Sequence, residues 1–230
     1  MLRNSIIFDL ETSFLTKGAK RPQSLIFEIG AVDLHARTFQ SFVNPFKGSD
    51  LSLFDAITEN RKQRVDSSLS FWHSLLYNKI NSVGKTAAEL AADIERYNDK
   101  HDVPSTSEMF KAFTVFADTC CVSHATCALI GHNSASFDCP IVDGNNGAKL
   151  FPDMYRLDSY RHLAIRFFKT HKGRKLGLGP LFKSLMPHGV DFTHHRALDD
   201  SCATLCVLHA MAADYAAMNG SKSLYSRSCV

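Results

Sequence analysis

The sequence predicts an α/β fold: a mixed five-stranded sheet, three antiparallel strands then parallel ones, flanked by helices. Three observations carry this. Runs of β-branched, aromatic and other apolar residues at 5–12, 25–34 and 38–43 lie close enough in the chain to form an antiparallel meander. A short apolar run at 127–131 and a short strand expected at 155–158 alternate with segments of helical periodicity, the pattern of strands joined through helices. Finally, 45% hydrophobic against 21% charged residues over 230 positions is enough apolar side chain for one well-buried core.

Each element follows from its residues. Ser5-Ile6-Ile7-Phe8-Asp9-Leu10-Glu11-Thr12 reads as a buried opening strand. Side chains alternate along a strand, so Asp9 and Glu11 fall on one face with Ile7. Unpaired buried charge costs several kcal/mol, so this pair needs an Arg or Lys partner, water beyond the strand end, or a divalent cation. After a loop at 13–24, the next two runs are joined by His35-Ala36-Arg37 and stopped by Asn44-Pro45, which predicts a hairpin. Residues 46–104 carry the weakest pattern. Within them, 85–97 has Ala88, Ala91, Ala92 and Ile94 near one helical face, and a short helix is expected around 67–77 with Trp72 as a packing residue.

Ser105-x-x-Glu108 has capping-box form and opens a predicted helix carrying Met109, Phe110, Phe113 and Phe116. The strand 127–131 gives into a polar turn, and another short helix is expected after Asp138. The strand 155–158 is followed by predicted helices at 161–168, 176–185 and 197–217. The last places Leu198, Cys202, Leu205, Cys206, His209 and Ala212 on one stripe. No repeat or linker divides the chain, which predicts one domain over 1–218 and a short tail at 219–230.

The totals bound the function. A formal charge of +3 permits a nucleic-acid partner without requiring one. No run of 18 apolar residues exists, so no membrane span is expected, and a first strand beginning near Ser5 leaves no room for a cleaved leader. Seven cysteines without zinc-finger spacing are expected as free thiols in a reducing, intracellular compartment, cytoplasmic or nuclear, with a Cys/His zinc module around 120–139 as the alternative.

Four acids and a histidine stand at the edges of predicted elements: Asp9, Glu11, Asp138, His195 and Asp200. Singly, each has a plain explanation. Asp138 could cap a helix, Asp199 and Asp200 favour the positive end of the last one, and a His beside Arg196 is ordinarily a surface residue. Together they fall into ordered motifs: Asp9-x-Glu11-Thr12, Glu28 to Val32 (Glu-Ile-Gly-Ala-Val), His132-Asn133 followed by Phe137-Asp138, and His195-x-Ala197-x-x-Asp200. In these motifs the chain resembles the DnaQ-type exonucleases, the DEDDh group, from about Ser5 to Leu208. The resemblance implies a ribonuclease H-like fold, an exonuclease domain over 1–218 and release of nucleoside 5′-monophosphates from 3′ ends.

Finer features narrow the branch. Three residues, Ser134 to Ser136, separate the two halves of the middle motif, where proofreading subunits and oligoribonucleases usually have two. With Cys139-Pro140-Ile141-Val142, Leu157-Asp158-Ser159 and Leu176-Gly177, this looks like the DNA-directed 3′-repair exonucleases and their plant organellar relatives. The chain departs from the family at Phe14, where Gly is usual, throughout 46–104, and in lacking the proline-rich insertion of some repair enzymes.

The resemblance implies that Asp9, Glu11, Asp138 and Asp200 hold two Mg²⁺ ions, with Mn²⁺ able to substitute. Hard divalent ions favour carboxylates and water over thiolates, and two of them about 3.5–4 Å apart stabilise the attacking and leaving oxygens of a phosphodiester. Asp9 is expected to bridge, with Glu11 and Asp200 on one ion and Asp138 beside the other. His195, with a pKa near neutrality, is expected to take the proton of the attacking water. His194-x4-Asp199 repeats the spacing and competes, but Ala197 two residues on favours His195. Substrate contacts are expected from Leu10 and Thr12 beside the acids, and from His132, Asn133 and Phe137. Phe14 and Leu15 could wedge against the terminal base. Between Arg161 and Lys175 lie six Lys/Arg and no acid, the expected phosphate contacts. The expected partner is a single-stranded 3′ end, DNA before RNA. The alternatives are an exoribonuclease on the same scaffold and a catalytically silent nucleic-acid-binding relative. The resembling repair enzymes also imply a homodimer.

Overall fold

The computed structural model describes residues 4–13, 24–50, 52–55, 57–58, 85–165, 176–186 and 196–218. The long strand β1 (Asn4–Ser13) lies at the centre of a sheet ordered β3-β2-β1-β4-β5. β2 (Leu25–Asp33) runs antiparallel to it, from Ile6 opposite Asp33 to Ser13 opposite Leu25, with a bulge after Glu11. β3 (Thr38–Phe42) adds antiparallel at the edge. On the other side β4 (Cys127–Gly131) is parallel to β1, and β5 (Tyr155–Asp158) is parallel to β4. This is the mixed sheet that the sequence predicts.

Five α-helices flank it among the described residues: α1 (Ala87–Lys100), α2 (Thr106–Cys120), α3 (Asp138–Asn146), α4 (Leu178–Leu185) and α5 (Ala197–Met218). The alternation of β1 sorts its side chains between them. Ile6, Phe8 and Leu10 are buried with Met109, Phe110 and Phe113 of α2 and Ile141 of α3. Ile7 turns the other way, with Val32, Ala128 and Ile130, under Cys202, Leu205 and Leu208 of α5. Burying each such side chain is worth roughly 1.5–3 kcal/mol, so the strand is held from both faces. Asp9 and Glu11 share the parity of Ile7 and therefore the α5 face.

Local signals place the ends of the helices. α1 starts at Ala87, two residues after the expected start, because Thr86 caps it: its hydroxyl accepts from Glu89 N–H and the Glu89 carboxylate accepts from Thr86 N–H at 2.7 Å. Ser105 and Glu108 form the same box at α2. The helix expected from 161 begins earlier, as a π-helical turn over Ser159–Ala164, since Asp158 accepts the Tyr160 and Arg161 N–H groups and nucleates it there. On α5 the expected single stripe is too narrow. Ala203, Val207 and Met211 pack on Leu181 and Phe182 of α4 while Cys202 and Leu205 face the sheet, so two adjoining faces are covered.

The expectation of free thiols throughout is corrected at one pair. Cys121 and Cys127 form a disulfide, because the short connection from α2 to β4 brings their Cα atoms to 6.0 Å. Cys120, Cys139 and Cys202 are thiols. The helix expected around Trp72 lies outside the described residues. Among the described residues no helix is long and apolar enough to cross a membrane.

Candidate active site

Three carboxylates converge where α5 meets the centre of the sheet. One oxygen each of Asp9, Glu11 and Asp200 lies within 4.8 Å of the others, and among the described residues this is the one cluster of three metal-capable side chains. Among the described residues no Cys/His cluster with metal-binding geometry forms around residues 120–139.

The approach of α5 depends on a residue with no side chain. Gly30 pairs with Asp9 across the strands, and a Cβ there would overlap the backbone of Ala197 and Leu198. The Ser201 hydroxyl fastens the contact, its one O–H shared between Gly30 O at 3.0 Å and Ala197 O at 2.8 Å. Asp200 N–H closes the first helical turn on Arg196 O. Asp200 is thereby brought to the two acids of β1.

Asp138 adds a fourth charge from the start of α3. It is buried, and its Oδ1 has no hydrogen-bond partner among the described residues, although the Leu10 N–H serves the carboxylate. Desolvation, opposed by that N–H and by its own, pushes Asp138 up to about 7, with Asp158 and Asp200 adding like charge. Glu11 is pushed up to about 8, by burial first and then by Asp200, Glu28 and Asp138. Asp9 is raised well above the carboxylate range, by desolvation and then by Asp138, Asp200 and Glu11. Four acids this close cannot all ionise near neutral pH without added positive charge. Carboxylate-only donors and an unserved buried oxygen fit hard divalent cations.

The turn that delivers Asp138 is held by a buried carboxylate. Asp158, fully buried, accepts from Asn133 N–H (3.0 Å) and Ala135 N–H (3.1 Å), and from Tyr160 and Arg161 N–H (2.9 and 3.1 Å). Asn133 takes φ of 64°, a left-handed conformation that Asn tolerates better than most residues. His132 is pinned at both nitrogens. Its Nε2 meets Leu176 O at 2.9 Å, so this nitrogen carries the proton and Nδ1 accepts from the Ser159 hydroxyl at 2.9 Å. Burial lowers its pKa, in keeping with a neutral ring.

The expected substrate residues differ in burial. The side chain of Leu10 lies in the core on the α2 side, while its backbone serves Asp138. Thr12 is buried beside the bulge. Phe137 is half-buried against the core at the entry to α3, and Arg161 stands half exposed 4.0 Å from Asp158. Phe14, Leu15, Lys175 and His195 lie outside the described residues. Gly30, Glu28 and Asp158 stand in motifs of the sequence, which by itself does not show their contacts. Their partners, at 196–201 and 133–135, are remote in the chain.

No protein-family model matches the chain, and no curated protein does. Solved structures do. The nuclease domain of 3′hExo, a DEDDh family member bound to rAMP, superposes with a TM-score of 0.55 at 16% identity, covering 95% of this chain and 94% of that one. Exonuclease I superposes at 0.53 and 13% identity over 92% of this chain. Exonuclease I of E. coli in complex with a 5cy-dT13 oligonucleotide gives 0.53 at 11% identity. The chain has the fold of these exonucleases. It spans 41% of the length of exonuclease I and nearly the whole 3′hExo nuclease domain. In this exonuclease fold the mixed sheet and its flanking helices correspond to the ribonuclease H-like arrangement that the motifs imply.

Proposed function

We propose that this chain is a metal-dependent 3′→5′ exonuclease that releases nucleoside 5′-monophosphates from single-stranded DNA ends, with the catalytic domain over residues 1–218. The observation that carries the reading is the meeting of Asp9, Glu11 and Asp200 within 4.8 Å, with Asp138 adding its charge. These four would hold two Mg²⁺ ions, or Mn²⁺ in their place, which when bound supply positive charge at the attacking and leaving oxygens and a more acidic water. The chain does the rest. Leu10 N–H and the Asp158-held turn orient Asp138, and the first turn of α5 orients Asp200. His195 takes the proton of the attacking water, and the basic stretch from Arg161 to Lys175 receives phosphates.

RNA is the second reading. The structure matched over nearly its whole length is bound to rAMP, a ribonucleotide. Matched DNA and RNA single strands, labelled at the 3′ or the 5′ end and incubated with Mg²⁺ or Mn²⁺, separate the two. Mononucleotides shed from the 3′ label of DNA first are the expected result. Preference for RNA moves the assignment to the second reading, and no mononucleotide from either strand with either metal overturns both.

A further inference from the structure

A fifth acid, Glu28, adjoins the site. It is fully buried on β2, directly across the strands from Glu11. Like charges set opposite each other in a sheet repel, so the position would suit an apolar residue better unless the carboxylate has work elsewhere. Its oxygens are engaged by Gln40, by Arg196 and by the backbone N–H of Ala197, the first residue of α5. Gln40 on the edge strand donates to Oε1 at 2.7 Å. Arg196 donates through Nε at 3.3 and 3.4 Å and through a terminal nitrogen at 3.4 Å, with its guanidinium 5.5 Å over the Phe42 ring.

Arg196 is the last residue before α5, and its carbonyl accepts the Asp200 N–H at 2.9 Å. The guanidinium that grips β2 and the peptide that begins the turn of Asp200 thus belong to one residue. A second fastening, Ser201 to Gly30, lies two residues along the same strand. Asp200 sits between the two.

We propose that Glu28 is a positioning residue: held by Gln40, its carboxylate clamps Arg196 and so fixes the first turn of α5, which presents Asp200 to Asp9 and Glu11. Only the turnover arm of the test rests on the exonuclease reading. The metal arm needs no nucleic acid.

The test compares Glu28→Gln, Arg196→Gln, the double variant and Gln40→Ala, by titrating Mn²⁺ calorimetrically and by measuring kcat and KM well below the melting temperature. Positioning predicts that both single variants weaken Mn²⁺ binding, by about tenfold as for supports behind metal ligands, with the double variant no worse than the worse single. A purely electrostatic role predicts opposite signs, because loss of an anion weakens cation binding and loss of a cation strengthens it. Opposite signs, or losses that multiply in the double variant, overturn the proposal. So does a missing Mn²⁺ equivalent in Glu28→Gln alone, which would make Glu28 a ligand. The singles should also lower kcat about tenfold or more while KM stays within about threefold, as expected when a group shifts by a fraction of an ångström. Wild-type turnover in folded singles overturns the clamp. Gln40 is exposed at the sheet edge, so Gln40→Ala keeps the core should the others fail to fold. It should reduce Mn²⁺ affinity in the same direction, and an unchanged affinity counts against the clamp. Should the wild-type chain release no nucleotide, the exonuclease reading fails while the Mn²⁺ arm still decides this one.

Discussion

Replacing Asp158 by Asn isolates the buried anion on which the middle motif rests. The two side chains are nearly equal in size, so packing is preserved and only charge and one acceptor change. Asp158 Oδ1 accepts three backbone N–H groups and Oδ2 accepts a fourth, from Ala135 at 3.1 Å. An Asn oxygen left in the Oδ1 place keeps three bonds but without charge assistance, and its NH₂ then faces the Ala135 donor. A bond to a charged group contributes about 1.5–3 kcal/mol against about 0.5–1.5 for a neutral one, and a stranded buried donor costs about 1–3 kcal/mol. Relief of the buried charge offsets part of this. The net expectation is destabilisation by about 3 kcal/mol, on the scale of breaking a buried polar network. Urea unfolding of both proteins measures it. Because the freed turn is the one that leads to Asp138, Mn²⁺ affinity in the folded variant should fall as well. A midpoint shift equivalent to under about 0.5 kcal/mol, the range of an ordinary surface substitution, would refute the account of Asp158 as the anchor.

Four further outcomes follow from the same contacts. Glu11 keeps its proton to about pH 8 in the folded chain against 4.5 ordinarily, and Asp138 to about 7 against 3.8, so the folded state binds the extra protons between those limits. Metal-free stability should therefore fall as pH rises from about 4 to 8, and Mn²⁺ should reverse the trend; thermal melts with chelator at pH 5 and 8 read this, and rising stability would contradict it. Gly30→Ala should destabilise by about 3 kcal/mol or more, the upper range for overpacking, because the obstructing atoms are backbone, and should lower turnover in whatever protein folds. Asp200→Asn should weaken Mn²⁺ binding while Asp199→Asn does not; the reverse would put the register of the last motif one residue off. Cys121 and Cys127 are bonded to each other, so denatured protein should titrate at least two more thiols after reduction than before it, and reduction should lower stability by about 2 kcal/mol for so short a loop.

Legibility tracked how local each cause is. The capping box at Ser105 is complete within four residues, so the start of α2 follows from pattern and cap chemistry, whereas apolar periodicity alone sets the start of α1 two residues before the Thr86 cap does. β4 and β5 are short strands whose limits coincide with the expected ones. The π-helical turn was misread as a helix from 161, because the nucleating carboxylate at Asp158 gives an ordinary periodicity no sign of itself. The disulfide was missed because seven cysteines allow many pairings, and only the path from α2 into β4 selects one. The two-sided burial of α5 requires knowing where α4 packs.

The sequence by itself determined which face of the first strand would be acidic, because alternation along a strand is a local rule, and it determined the order of the elements through their periodicities. It also supplied the acids and their motif spacing. Only the tertiary structure decided that Asp200, nearly two hundred residues from Asp9, would reach it. That meeting depends on the bare backbone at Gly30 letting a helix end touch the sheet, and the place of Asp138 depends on Asp158 holding the turn before it. Both are contacts between parts of the chain remote in sequence, whose energies exist only after the chain has folded.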